Sequence, residues 1–262
     1  MRTSSLALLL VLFTGLLSGG MAHASQTSYP IRNADALTKS RLYLSGRLPS
    51  TRCPERPVVA GDVASVKNYL LPLVKCLDVA WSAQFAKARL PYVKPRVTFI
   101  TKPQRICGEK WGKDVQAIYC NADRRIVFML DKDVIAEPED LFLMDVIAHE
   151  YGHHVQNVAG MWRAFDRLPN KGKAEYYEQT RRHELQAECL AGAFIGSVWP
   201  SLGRTGEDWS TLLDADRRSG DETTDVRDHG KGRNIANWLS RGFKAVGPAA
   251  CDTWIAPSAM VA

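Results

Sequence analysis

The sequence predicts an α+β domain, and two observations carry that reading. Residues 139–157 and 174–199 are long stretches with apolar residues at helical spacing. Between residues 96 and 130 lie short runs of β-branched and aromatic residues split by polar turns, the pattern of a small sheet. Long helices beside a few short strands place the chain in the α+β class, and without internal repeats a single domain is the simplest organisation.

In chain order, the N-terminus reads as a secretory signal. Arg2 supplies a positive start, Leu6 to Leu17 carries no charge, and Ala22-His23-Ala24 fits a signal peptidase site, with cleavage after Ala24. The apolar run is shorter than the roughly 20 residues a spanning helix needs, so no stable membrane anchor is expected. Residues 25–61 are polar and contain Pro30, Pro49, Pro54 and Pro57. They read as an extended lead-in outside the core, with a propeptide as the alternative. The expected division is therefore a signal peptide over 1–24, an extended N-terminal segment over 25–61, and a domain over 62–262.

Asp62 to Lys87 reads as a helix with Asp62 as N-cap. Val66, Leu70, Val74, Leu77, Trp81 and Phe85 recur at helical spacing, and Pro72 predicts a kink or a late start. Arg96 to Thr101 is a strand. Val115 to Leu130 reads as two strands joined by Asn121-Ala122-Asp123-Arg124, so the sheet is expected to be mostly antiparallel. Glu139 to Asn157 and Ala174 to Trp199 are the long helices, the second stopped by Pro200. Thr211 to Ser219 and Asn234 to Lys244 read as shorter ones.

The formal net charge is +6 and the basic residues are scattered. No Lys/Arg block with interleaved aromatics is present, which argues against a nucleic-acid partner. Six cysteines, none in a C-x-x-C motif, read as disulfides in an exported chain. Cys107 and Cys120 bracket a short loop and are the favoured pair; Cys53 with Cys76 and Cys189 with Cys251 follow by elimination.

The chemistry concentrates in His149-Glu150-Tyr151-Gly152-His153. Residues four apart share a helical face, so both imidazoles can reach one ion. Glu150 lies about 100° around the helix from His149, beside such an ion, where its carboxylate can take a proton from a held water. Residues 141–148 are mostly apolar, which places this helix in the interior. Catalytic zinc usually takes three protein ligands and a water. Glu184 and Glu188 share a face of the second long helix, so one can ligate while the other accepts the N–H of a metal-bound histidine.

The run from His149 to Gln156 (HEYGHHVQ), together with Glu184 to Gly192 (ELQAECLAG), resembles the bacterial neutral zinc metallopeptidases, relatives of the thermolysin-like gluzincins. Weaker similarity extends to Tyr119-Cys120-Asn121-Ala122-Asp123, His229-Gly230 and Ala250-Cys251-Asp252-Thr253-Trp254, so it covers roughly residues 60–255. The resemblance implies a zincin-like fold, one Zn²⁺ held by His149, His153 and Glu184, and Glu188 orienting His149. It also implies that Gln116 to Tyr119 form an edge strand pairing with an extended peptide. Glu188 stands where the family usually carries Asp, and Lys231-Gly232-Arg233 departs from its Ser-containing pattern.

His229 is a candidate donor to a developing oxyanion, as are Tyr119, Tyr151, Tyr176 and Tyr177, which sequence does not separate. His154 is expected to be structural and His183 to lie at the surface, since both point away from the faces of their neighbours. Cys189 is expected in a disulfide. The resulting expectation is a secreted or periplasmic zinc endopeptidase acting on peptide or protein substrates, with Glu150 as general base. Its rivals are a zinc-stabilised, non-catalytic binding module of the cell envelope and a metal-free structural protein there.

Overall fold

A computed structural model describes residues 31, 33–112 and 115–262. The expected signal peptide lies outside the described residues. Helix α1 spans Asp35–Thr38, followed by a single 3₁₀ turn over Arg41–Leu44. Helix α2 runs Val63–Ala88, with the Asp62 carboxylate accepting from the Ala64 N–H. Pro72 is accommodated within it, so the start is not delayed. Strands β1 (Arg96–Ile100), β2 (Arg105–Ile106), β3 (Glu109–Lys110), β4 (Ala117–Cys120) and β5 (Arg125–Met129) come next. The remaining helices are α3 (Lys132–Ala136), α4 (Asp140–Val158), α5 (Met161–Phe165), α6 (Lys173–Val198), α7 (Gly206–Arg217) and α8 (Gly232–Ala245).

The main sheet has the order β1-β5-β4, and β2 and β3 form a separate antiparallel pair. β4 and β5 are an antiparallel hairpin, as expected, but β1 runs parallel to β5. The sheet is therefore mixed rather than mostly antiparallel. The chain after β1 crosses to the far edge before the hairpin begins, so β5 enters the middle alongside β1. β4 is left as an edge strand.

One continuous core runs from Leu37 to Val261 and gathers α2, α4, α6, α8 and one face of the sheet. It corrects the expectation for the N-terminal segment. Leu37, Leu42, Leu48 and Cys53 are buried in that core, and Cys53 is bonded to Cys76 on α2. The prolines signalled an irregular backbone correctly, but the sparse apolar residues between them were enough to dock it. α7 begins earlier than expected because Thr205 and Asp208 cap it reciprocally. The other bonded pairs are Cys107–Cys120 and Cys189–Cys251, as expected. Among the described residues, no helix is long and apolar enough to cross a membrane.

Glycine sets how closely the central helices approach. A Cβ on Gly192 would lie 2.0 Å from the Leu239 carbonyl, and one on Gly242 would lie 1.9 Å from the Cys189 carbonyl. α6 and α8 therefore pack backbone to backbone.

Candidate metal centre

α4 and α6 cross at Gly152, where a Cβ would lie 2.7 Å from the Ala187 carbonyl oxygen. Gly152 lies between His149 and His153 in sequence, and Ala187 between Glu184 and Glu188. The close crossing brings the two ligand-type pairs face to face. His153 Nε2 lies 3.0 Å and His149 Nε2 3.4 Å from Glu184 Oε2. One donor atom from each of the three residues falls within 4.8 Å of the others.

The far sides of both imidazoles are committed. His149 Nδ1 is 2.8 Å from Glu188 Oε2, an acceptor when ionised, so Nδ1 carries the proton. His153 Nδ1 is 2.9 Å from Gln156 Oε1. That amide is oriented because its Nε2 donates to the His183 carbonyl (2.7 Å) and to Gln186 Oε1 (3.1 Å). Both rings therefore turn Nε2 towards the Glu184 carboxylate, each a hydrogen-bond donor while protonated and a lone pair once a cation takes the proton's place. Three electron-rich atoms in a buried site need a cation or a proton among them, and two imidazoles with a carboxylate suit zinc. Burial alone would lower the His149 pKa, but hydrogen bonds to Glu184 and Glu188 hold it well above its ordinary value. Burial would likewise raise Glu184, but the His153 charge and hydrogen bonds from both histidines hold it well below the usual carboxylate range.

Glu150 is buried on the same stretch of α4. Burial raises its pKa, against the opposing pull of His153 and His149. Among the described residues no donor engages its carboxylate, which leaves it available to a water.

His229 reaches the site from the loop between α7 and α8. Its Nε2 is 3.8 Å from Glu184 Oε2, and its Nδ1 is 2.7 Å from Asp228 Oδ1. The Asp221 carboxylate fixes the loop by accepting the N–H groups of His229 (3.0 Å) and Gly230 (2.8 Å). Gly230 permits that turn at φ +92°. Partial desolvation lowers the His229 pKa, but the bond to Asp228 and the nearby Glu184 carboxylate raise it to about 9, on a side chain that stays 57% exposed. The buried tyrosines are spent elsewhere: the Tyr119 hydroxyl on His154 and Asn157, and that of Tyr151 on Asp78 and Tyr92.

His154 is structural, as expected. It is fully buried, with Nδ1 3.0 Å from the Tyr119 hydroxyl and Nε2 2.7 Å from the Val93 carbonyl. His183 corrects its expectation. It is 2% exposed and stacked between Phe165 and His153, with ring centroids 4.6 and 5.0 Å away. α6 is enclosed by its neighbours on nearly every side, so no surface face remains there, and burial lowers the His183 pKa to about 3.

Several site residues escaped the sequence reading. Asp228 carried a signal, since it directly precedes His229. Gly152 did too, lying inside the motif. Gln156 lay in the quoted run, but its contact with His153 was not read from it.

The family described as "Putative neutral zinc metallopeptidase" matches residues 65–254. "Uncharacterized protein YpfJ" of Escherichia coli K12 is 30% identical over 192 residues, 66% of this chain and 66% of that protein. "Uncharacterized protein Rv2575" of Mycobacterium tuberculosis H37Rv is 30% identical over 218 residues, 69% of this chain and 68% of that protein. The chain thus spans about two thirds of the length of these relatives. No solved structure matches it significantly.

Proposed function

This chain belongs to the putative neutral zinc metallopeptidase family, and we propose from that premise that it is a zinc-dependent endopeptidase acting on peptide or protein substrates outside the cytoplasm. The observation that carries the proposal is the pair of Nε2 atoms turned to the Glu184 carboxylate beside an unengaged, buried Glu150. His149, His153 and Glu184 would hold the ion. Zinc bound there supplies Lewis-acid polarisation of the scissile carbonyl and lowers the pKa of a bound water.

The protein groups divide the remaining work. Glu150 accepts a proton from the attacking water and delivers it to the leaving amine, a role that suits a carboxylate whose pKa burial has raised. His229, held by Asp228, donates a hydrogen bond to the oxyanion as it develops. Glu188 keeps the His149 ring in register. The free edge of β4 offers backbone groups to an extended substrate. Three disulfides are compatible with an extracellular or periplasmic location, and export is part of the proposal.

The decisive experiment measures zinc content and hydrolysis of a mixed peptide library for the wild type and Glu150→Gln. The wild type is expected to hold about one equivalent of zinc, as a single three-ligand site does. Glu150→Gln is expected to keep that zinc while hydrolysis falls at least about 10²-fold. Full-rate hydrolysis by Glu150→Gln would refute the mechanism. A wild type that holds zinc and cleaves nothing would instead identify a binding module.

A further inference from the structure

A second group of ligand-type side chains lies behind the first. Asp145 on α4, Glu188 on α6 and Asp216 on α7 come from three different helices, and one oxygen from each falls within 4.8 Å of the others. All three are buried, with exposures of 5%, 6% and 5%. Asp145 Oδ1, Glu188 Oε1 and Asp216 Oδ2 each have no hydrogen-bond partner. A buried polar atom left unpaired is costly and infrequent, and here three occur together.

We propose that Asp145, Glu188 and Asp216 form a second cation site, built for a hard divalent ion of the calcium class and joined to the first site through Glu188. Among the described residues, no Lys or Arg forms an ion pair with any of the three. Arg217, next to Asp216, is turned to Asp214 and acts on the group only at a distance, while His149 engages the other Glu188 oxygen. Like charges this close and this buried cannot all persist without a counter-charge. Burial and the neighbouring acids accordingly push the Asp145 carboxyl well above its ordinary range and that of Asp216 up to about 8.

Two occupants could supply the missing charge. A single shared proton joins two of the three oxygens and leaves one orphaned, and protons pair all three only if Asp145 and Asp216 are both neutral. A divalent cation meets one oxygen from each residue at once. The chemistry of the set selects among cations, because it offers carboxylate oxygens alone, with no imidazole and no sulfur. Such donors suit calcium, magnesium and manganese rather than zinc. Calcium tolerates irregular coordination completed by water, whereas magnesium demands near-ideal octahedral geometry, so three carboxylates converging from separate helices favour calcium.

Glu188 gives the site its consequence. Oε2 accepts the His149 Nδ1 proton, while Oε1 is the oxygen left without a partner. A cation there keeps Glu188 ionised and its carboxylate plane fixed, which holds His149 with its Nε2 lone pair outward. That consequence rests on the proposed zinc role of His149; the cation site itself does not.

The test uses the full chain stripped with EDTA, reloaded with one equivalent of zinc, and titrated with calcium chloride by calorimetry and thermal unfolding. The wild type is expected to take up one calcium. Its Tm should rise by about 5–10 °C at a hundredfold excess over Kd, from the linkage expected of a ligand that binds only the folded state. Asp145→Asn and Asp216→Asn should retain zinc and lose most of the calcium-dependent rise. His153→Ala should retain the rise, which separates this site from the zinc reading. The proposal is overturned if the wild type takes up no calcium, magnesium or manganese. It is equally overturned if the rise survives in both Asn variants. Should either variant fail to fold, the wild-type titration decides alone. A gain in Tm at pH 7 for Asp216→Asn, with no ion uptake by the wild type, would identify shared protons in the cation's place.

Discussion

His153 and His154 are adjacent in the chain and belong to different regions of the molecule. His153 turns towards α6 and lies 3.0 Å from the Glu184 carboxylate. His154 turns into the core, where Tyr119 and the Val93 carbonyl take both its nitrogens. The same side chain is a candidate ligand on one side of α4 and a neutral packing element on the other. What separates them is about 100° of helical rotation and the partners that rotation supplies. On the metal side each Nδ1 is occupied and each Nε2 is left facing an acid. On the core side neither nitrogen is left over. A histidine's role on a buried helix is thus set by which of its nitrogens remains unspent.

That contrast can be broken most severely on the metal side. Replacing His153 with Ala should remove the ion and all hydrolysis together, and Glu184→Ala should behave likewise, because each deletes one of three proposed ligands. Elemental analysis beside a peptide assay reads both effects, and a His153→Ala protein that keeps its zinc and its activity would remove His153 from the ligand set.

A smaller effect is expected where the two helices cross. Gly152→Ala places a methyl group 2.7 Å from the Ala187 carbonyl and 2.9 Å from its Cα, both backbone atoms. The helices must part, at a cost of about 3 kcal/mol or more if overpacking acts here as it does elsewhere. Denaturant unfolding should show that loss, with zinc affinity falling alongside it. Unchanged stability would mean that the crossing is looser than described.

The core side offers the gentlest test. Burial depresses the His154 pKa to about 4, against an ordinary value near 6.5. A depressed histidine contributes stability that is fully present above the unfolded-state value. That stability is lost as pH falls from about 6.5 towards 4, because the unfolded chain takes up the proton first. The loss should be about 3 kcal/mol at about 1.4 kcal/mol per unit. An NMR titration that found His154 titrating near 6.5 would contradict its placement.

Much of this arrangement was legible because its physics is local. Helical spacing placed His149 with His153, and Glu184 with Glu188, on shared faces, and the apolar turns around them put both helices inside. The Asp62 cap and the polar turn before Arg125 were equally local signals. Non-local geometry was not legible. The parallel pairing of β1 with β5 depends on where the chain crosses. The docking of Leu37, Leu42 and Leu48 depends on a core assembled from residues far along the chain. His183 looked like a surface residue because it points away from the face that carries Glu184. Its neighbour Arg182, however, is buried too, donating to Glu178 and to the carbonyls of Thr253 and Ala256.

The Cys189–Cys251 bond introduces an order of events. It closes a span of 62 residues that contains α7, His229 and α8, and the three proposed metal ligands all precede that span. Closing a loop of this length restricts the unfolded chain by about 4 kcal/mol in a loop-entropy account. A chain emerging N-terminus first therefore presents His149, His153 and Glu184 before Asp216 and His229 exist to complete their surroundings. Before oxidation, metal capture would draw on residues already made, while the oxyanion donor would depend on a span not yet fastened. If the chain is exported as proposed, oxidation would fasten the span that carries His229 without enclosing any of the three proposed ligands.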